Sequence, residues 1–279
     1  MKTDSARRLQ LLAALFLCLI GGTATGAIRI AIPDDIYYHR FASSVHGPEA
    51  VWTNPAALAL YRNMSTEYMS DYYQGKFLKN WGTSGIGSRF GLSYRHLKDF
   101  RGKGYNELLI ATGAELSFGL YWGISYRYVK NGPGLYHKRH FWNASILVKN
   151  NPNYYLAFVF SNLNRGRVDG KRSDFEELYS FSYRTLKGRL ILSTEITLSS
   201  GQSLSSASYN YGLEYLTSKQ LLIYAKIDNS RFFQIGIRFH RTGYSFGGQG
   251  RYSSGGKHQG TTLFFQQDVP PPSKDVGRL

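Results

Sequence analysis

Charged residues at every-other spacing are the first chemistry this chain offers. Arg89, Arg95, Arg127, Arg184, Arg189, Lys226, Arg238 and Arg251 fall on one face of successive alternating segments, and Glu107, Glu115, Glu195 and Glu214 share that face. Two outcomes are open. A ring of Arg and Lys lines a pore and favours anions. Alternatively, the charges pair with one another and with an N-terminal segment, because paired charges tolerate a half-buried, hydrated site better than lone ones. A second basic group, Arg101, Lys103, Lys138, Arg139, Arg165, Arg167, Lys171 and Arg172, falls between those segments, in the longer connections. It is either a set of contacts for lipopolysaccharide phosphates, through charge-assisted bonds, or ordinary solvated loop charge.

Catalytic chemistry finds little support. His137, His140 and Ser145 lie close in sequence, but His140 and Ser145 are five apart and therefore point to opposite faces of a strand. His96 and His240 lack obvious serine and acid partners. No metal-ligand spacing and no phosphate-binding glycine loop is present. The reading is a non-enzyme without cofactor or metal. The lone cysteine, Cys18, lies in the apolar run of a signal sequence, so the mature chain has no thiol chemistry.

That signal is a positive start (Lys2, Arg7, Arg8), an apolar run over 9–20 broken only by Gln10, and small residues over 21–27. Cleavage after Gly26 or after Ala27 satisfies the small-residue rule. The run is too short for the ~20 apolar residues of a spanning helix. Phe16 and Leu17 before Cys18 argue against a lipoprotein site.

The elements that must carry the charges are strands. In 118–128, Phe118, Leu120, Trp122, Ile124, Tyr126 and Tyr128 form one face, and Gly119, Tyr121, Gly123, Ser125 and Arg127 the other. Repeated along an exported chain, this alternation predicts a transmembrane β-barrel with lipid outside and a polar lumen. Fourteen strands (the count could fall to twelve) are predicted over 64–73, 76–81, 85–97, 105–116, 118–130, 138–149, 154–163, 175–185, 189–198, 207–216, 220–228, 231–240, 243–251 and 260–266; the second is short and weak. Short turns alternate with longer loops, as periplasmic turns and outer loops do in bacterial barrels. The negative mean hydropathy is what a half-wet strand set produces. The 22 Tyr suit membrane interfaces. A soluble sandwich would have to hide the same apolar faces against a second sheet. Net charge is +16, or +14 without Lys2, Asp4, Arg7 and Arg8, but no nucleic-acid motif accompanies it.

The expected organisation is a signal peptide (1–26), an N-terminal segment folding into or under the barrel (27–62), the barrel (63–267) and a periplasmic tail (268–279) whose prolines cannot pair in a sheet. A short helix is expected after Asn54-Pro55, with Asn as N-cap and Pro in the first turn.

Ala50-Val-Trp-Thr-Asn-Pro-Ala-Ala-Leu-Ala59 resembles the Asn-Pro-Ala-x-Leu-Ala element near the mature N-terminus of the FadL-like superfamily, which includes long-chain fatty acid transporters and PorV/PorQ-type outer-membrane proteins. The polar stretch Phe41-Ala-Ser-Ser-Val-His-Gly-Pro-Glu49 before it matches the same context. The resemblance implies a fourteen-stranded outer-membrane barrel with Asn54, Pro55 and Ala56 in a luminal plug. The chain is shorter than a typical fatty acid transporter and lacks long outer insertions, which fits the PorV/PorQ-like branch better. The functions this implies are passage of small hydrophobic or anionic solutes, or docking of secretion or envelope assembly proteins. The alternatives are a structural or adhesion barrel holding surface polysaccharide through its basic loops, and a lipid hydrolase. Outer-membrane lipid and lipopolysaccharide are the expected surroundings, and nucleic acid is not a partner.

Overall fold

The computed structural model describes residues 40–73, 76–98, 102–131, 138–165, 167–168, 171–172, 175–217 and 220–269. The signal sequence, the first part of the N-terminal segment and the prolines of the tail lie outside them.

Alternation builds a closed antiparallel barrel of fourteen strands. The strands are β1 (Met64–Tyr73), β2 (Lys76–Gly87), β3 (Phe90–Lys98), β4 (Gly104–Ser117), β5 (Leu120–Lys130), β6 (Arg139–Val148), β7 (Tyr154–Ser161), β10 (Glu176–Thr185), β11 (Leu190–Ser199), β12 (Ser208–Leu216), β13 (Leu221–Asp228), β14 (Phe233–Arg241), β15 (Tyr244–Tyr252) and β16 (His258–Val269). Two dipeptide strands, β8 (Arg167–Val168) and β9 (Lys171–Arg172), form a separate hairpin in the β7–β10 loop. Each barrel strand pairs with its neighbour along the chain, and β1 closes on β16 from Met64↔Val269 to Tyr72↔Thr261. Closure leaves no edge strand, which is the condition for crossing a bilayer with sheet.

β4 shows why the residues sort as they do. Tyr105, Glu107, Leu109 and Ala111 are buried on the inner face, whereas Leu108 and Ile110 on the outer face are each 38% exposed. Apolar side chains facing out and carboxylates facing in make an inside-out surface suited to lipid. Aromatic pairs such as Tyr126–Trp142 (centroids 5.0 Å apart) and Phe239–Phe246 (5.4 Å) link outer faces across strands.

Three expectations change. The segment 85–97 is not one strand. β2 runs on to Gly87, and Ser88 and Arg89, both at positive φ (49° and 73°), make a two-residue turn into β3. Such a turn usually announces itself by Asn or Gly, and neither is present. The β4–β5 turn takes Phe118 and Gly119 (φ 75°), so Phe118 lies exposed in the turn rather than opening β5. β16 extends to Val269, past the expected barrel limit at 267.

Candidate functional site: the barrel interior

Residues 40–61 are irregular because Gly47, Pro48 and Pro55 interrupt them. A four-residue helix, Ala50–Thr53, is followed by a 3-10 turn, Pro55–Leu60. Asn54 connects the two. Its Oδ1 accepts from Ala56 N (3.1 Å), and its Nδ2 donates to Ala42 O (2.7 Å). One wholly buried side chain therefore caps the second turn and ties it back to the start of the segment.

The segment meets inward faces in three places. Toward β4–β6, Ala56 N donates to Ser145 Oγ (2.8 Å). Gly113 and Gly123 are cross-strand partners there, and a Cβ on Gly123 would come within 2.3 Å of Ala56 N, one on Gly113 within 2.6 Å of Pro55 O. The wall is thinned to backbone where the 3-10 turn lies on it. Ala56, Ala57 and Leu58 pack there with Leu109, Ala111 and Leu147. Toward β10–β12, Ser43 Oγ bonds Ser180 Oγ (2.7 Å) and Ser182 Oγ (2.6 Å), Ala42 N donates to Glu195 Oε2 (3.3 Å), and Ser44 Oγ donates to Glu214 Oε1 (2.8 Å). Toward β14, β16 and β1, Arg238 Nη2 reaches Glu49 Oε1 (3.2 Å) and Glu67 Oε1 (3.0 Å), and Nη1 donates to Gln266 Oε1 (3.0 Å). Phe264 lies 4.2 Å from that guanidinium carbon. Arg40 donates to His46 O (2.8 Å) and lies 4.0 Å from Glu214; burial first, and then the Arg238 charge, lower its pKa from the ordinary arginine value.

A second ion cluster sits in the long-loop half. Arg95 Nε donates to Glu107 Oε2 (3.0 Å), and Arg127 Nη1 lies 4.0 Å from Glu107 Oε1. Arg95 stacks 3.7 Å over the Trp52 ring, whose Nε1 donates to Ser93 Oγ (2.6 Å). Lys226 Nζ lies 3.7 Å from Glu195. Among these groups is a cavity of about 380 Å³. Its lining includes Arg40, Arg95, Arg127, Lys226 and Arg251 against Glu176, Glu195 and Asp228, with Asn143, Asn162, Asn210 and Gln234 between them.

The expected inward charges therefore divide. Arg95, Glu107, Glu195, Glu214 and Arg238 are buried, and Arg127, Arg184, Lys226 and Arg251 are half-buried. Arg89 and Arg189 are exposed in the β2–β3 and β10–β11 turns, so these two are corrections: strand parity was carried past the ends of the strands. Glu115 keeps its inward parity in β4, opposite Tyr121, but is exposed near the end of that strand. Arg184 lies 4.5 Å over the Tyr155 ring, and Lys149 4.6 Å from it. Of the loop cations, Lys103, Lys138 and Arg165 are exposed and Arg139 is half-buried; Arg167, Lys171 and Arg172 belong to the β8–β9 hairpin, and Arg101 lies outside the described residues. His140 is outside, stacked on Tyr126, and Ser145 is inside. Sequence reasoning missed Arg40, Glu49 and Glu67. Glu67 was legible, because Ser65, Glu67, Met69 and Asp71 alternate on the buried face of β1. Arg40 and Glu49 sit in a segment with no periodicity to assign a face. Among the described residues, no group of three or more His, Cys, Asp or Glu side chains is placed to hold a metal.

Comparison with solved structures places this barrel in the outer-membrane β-barrel class. It is similar to CymD, a monoaromatic hydrocarbon channel (TM-score 0.55, 9% identity, covering 82% of this chain and 95% of that one). It is likewise similar to the Ralstonia pickettii toluene transporter TbuX (TM-score 0.54, 10% identity, 88% and 95%) and to the Acinetobacter baumannii outer membrane protein Omp33 (TM-score 0.51, 10% identity, 76% and 100%). At these identities the likeness is one of fold. No protein-family model matches the sequence, and no characterised protein matches it by sequence.

Proposed function

We propose that this protein is an outer-membrane channel of the FadL/PorV-like kind, in which residues 40–61 act as a plug and small anionic solutes enter from the long-loop side. One observation carries the reading: a polar cavity with five cationic side chains among its lining stands above a segment bonded to the wall on three sides. The outer-membrane location is supported by the inside-out barrel and its structural neighbours. The polar lining favours anionic over hydrophobic cargo, since a hydrophobic solute would gain little against Arg, Asn and Gln. Passage requires the plug to shift.

The test is single-channel recording of the refolded mature chain in a planar bilayer, beside a variant lacking residues 27–63. The intact chain is expected to be silent, or to open rarely, and the shortened one to conduct with a reversal potential favouring anions. Replacing Arg127 and Arg251 by Gln in the shortened chain reduces that preference. Steady conductance of the intact protein would overturn the plug, and cation preference the anionic cargo. A silent shortened chain would instead favour the structural reading, for which the density of buried ion pairs is the supporting observation.

A further inference from the structure

The outer face of β3–β6 carries a feature that luminal passage does not use. Phe90, Ile110, Thr112, Ile124, Tyr126 and Trp142 surround a groove of about 580 Å³ on the lipid side. It exists because Ile110, Thr112 and Ile124 are short while the aromatic rings around them are long. Its floor reaches the small residues Ala111 and Ser125 of the inner face.

Above the groove, toward the long loops, the same outward parity brings cations together. Lys98 ends β3 and Lys130 ends β5 on that parity, and Lys138, exposed and at positive φ (55°), stands in the turn immediately before β6, whose ladder with β5 reaches Val129↔Arg139. His96 and His140 sit one step lower, His140 stacked on Tyr126 (6.1 Å) and Tyr126 against Trp142 (5.0 Å). The outward positions of β3–β6 hold no Asp or Glu, and these lysines make no ion pair among the described residues. From Ile124 to Lys130 is six residues, about 20 Å along the strand at ~3.3 Å per residue. Strand tilt of roughly 40° reduces this to about 15 Å of depth, one leaflet of a hydrocarbon core about 30 Å thick.

We propose that this face is a binding site for a phosphorylated, multiply acylated glycolipid of the outer leaflet, with its phosphates on Lys98, Lys130 and Lys138 and one acyl chain in the groove. Charge complementarity selects this occupant over a neutral lipid. The spread of the three lysines over the ends of β3 and β5 and the turn before β6 suits a headgroup with more than one phosphate, which sets it apart from a single-phosphate phospholipid. The proposal does not depend on whether the lumen conducts.

The experiment is native mass spectrometry of the detergent-purified mature chain, titrated with lipid A, with dephosphorylated lipid A and with phosphatidylglycerol. Lipid A is expected to remain bound. Lys98→Ala, Lys130→Ala and Lys138→Ala together should weaken it on the order of a hundredfold, about fivefold per lysine. Dephosphorylated lipid A should lose a similar factor, and Ile124→Trp should weaken lipid A by occupying the groove. Lys257→Ala, in the β15–β16 loop, is the control and should change nothing. Equal affinity for phosphatidylglycerol, an unaffected triple variant, or an unaffected Ile124→Trp variant would overturn the assignment.

Discussion

Arg238→Met tests the plug most directly. Arg238, Glu49 and Glu67 are each no more than 2% exposed, and the one guanidinium bonds both carboxylates and Gln266. Breaking a buried ion pair by removing one partner costs about 3–5 kcal/mol, because the remaining charge is stranded. The two carboxylates respond differently. Glu67 belongs to β1 and stays, whereas Glu49 can reach water if its segment moves. Assigning roughly half of the penalty to Glu49 makes displacement easier by about 1.5–2.5 kcal/mol, a roughly 10- to 70-fold rise in the open population. Open probability in single-channel records measures this. Adding Glu49→Gln and Glu67→Gln to Arg238→Met removes the carboxylate charges that lost Arg238 and should return the channel most of the way to closure. If the folded Arg238→Met barrel opens no more often than the parent, Arg238 does not hold the segment, and the argument from buried charge is wrong.

Other perturbations address the remaining contacts. Gly123→Val places side-chain atoms against Ala56 N and Pro55 C, where even a Cβ would be 2.3 Å away; overpacking of this kind costs about 1–3 kcal/mol, seen as a lower thermal midpoint and more frequent opening. Gly85→Ala, whose Cβ would meet nothing nearer than 3.9 Å, serves as its neutral counterpart. Asn54→Ala strands Ala42 O and loses the cap on Ala56 N, at about 1–3 kcal/mol for the buried group left unsatisfied, and should raise protease sensitivity within 40–61. Burial, and then the Arg184 charge, lower the pKa of Lys149 in the β6–β7 turn from its ordinary 10.5. The unfolded chain therefore binds that proton more readily, so the stability tied to Lys149 is complete only above pH 10.5 and falls as pH drops through the lowered value. Lys149→Met should flatten that part of the pH–stability curve and raise the thermal midpoint at neutral pH; a lower midpoint would contradict the sign.

The barrel was legible because each strand carries its own evidence. Period-two alternation in 118–128 or 233–239 is a local property, and the fourteen ladders follow once neighbours pair. The turns were less legible. Ser88-Arg89 turns at positive φ without an Asn or Gly in either position, so nothing in composition warned that parity ends there; the turn over 186–188 was marked by Gly188, but β11 starts at Leu190, one residue later than expected, which leaves Arg189 in the turn. The interior was legible by halves. Wall charges followed from alternation, but their partners on residues 40–61 did not, because contacts such as Glu49–Arg238 join positions 189 apart through a segment with no repeating pattern. Asn54 was reachable from its sequence neighbours, since capping is local.

The three contact regions of residues 40–61 differ in what they lose when water enters. The β4–β6 side joins glycine backbone to Pro55 and Ala56 and packs Ala57 and Leu58 on the wall; wetting it forfeits close packing and apolar burial, with nothing returned. The β10–β12 side is mostly hydroxyls and backbone, for which water is a nearly equivalent partner. The Arg238 side gives up short ion pairs but recovers the hydration of two carboxylates and a guanidinium, so its net loss is far smaller than its contacts suggest. If residues 40–61 act as the proposed plug, displacement is expected to begin at Glu49 and to pivot on Ala56. In that order of release the Arg238 guanidinium would be bared while the glycine contact still holds, adding a cation to the proposed path just below the basic cavity. On the proposed reading, the same residue that fastens the segment would then extend an anion-favouring surface toward the short-turn end.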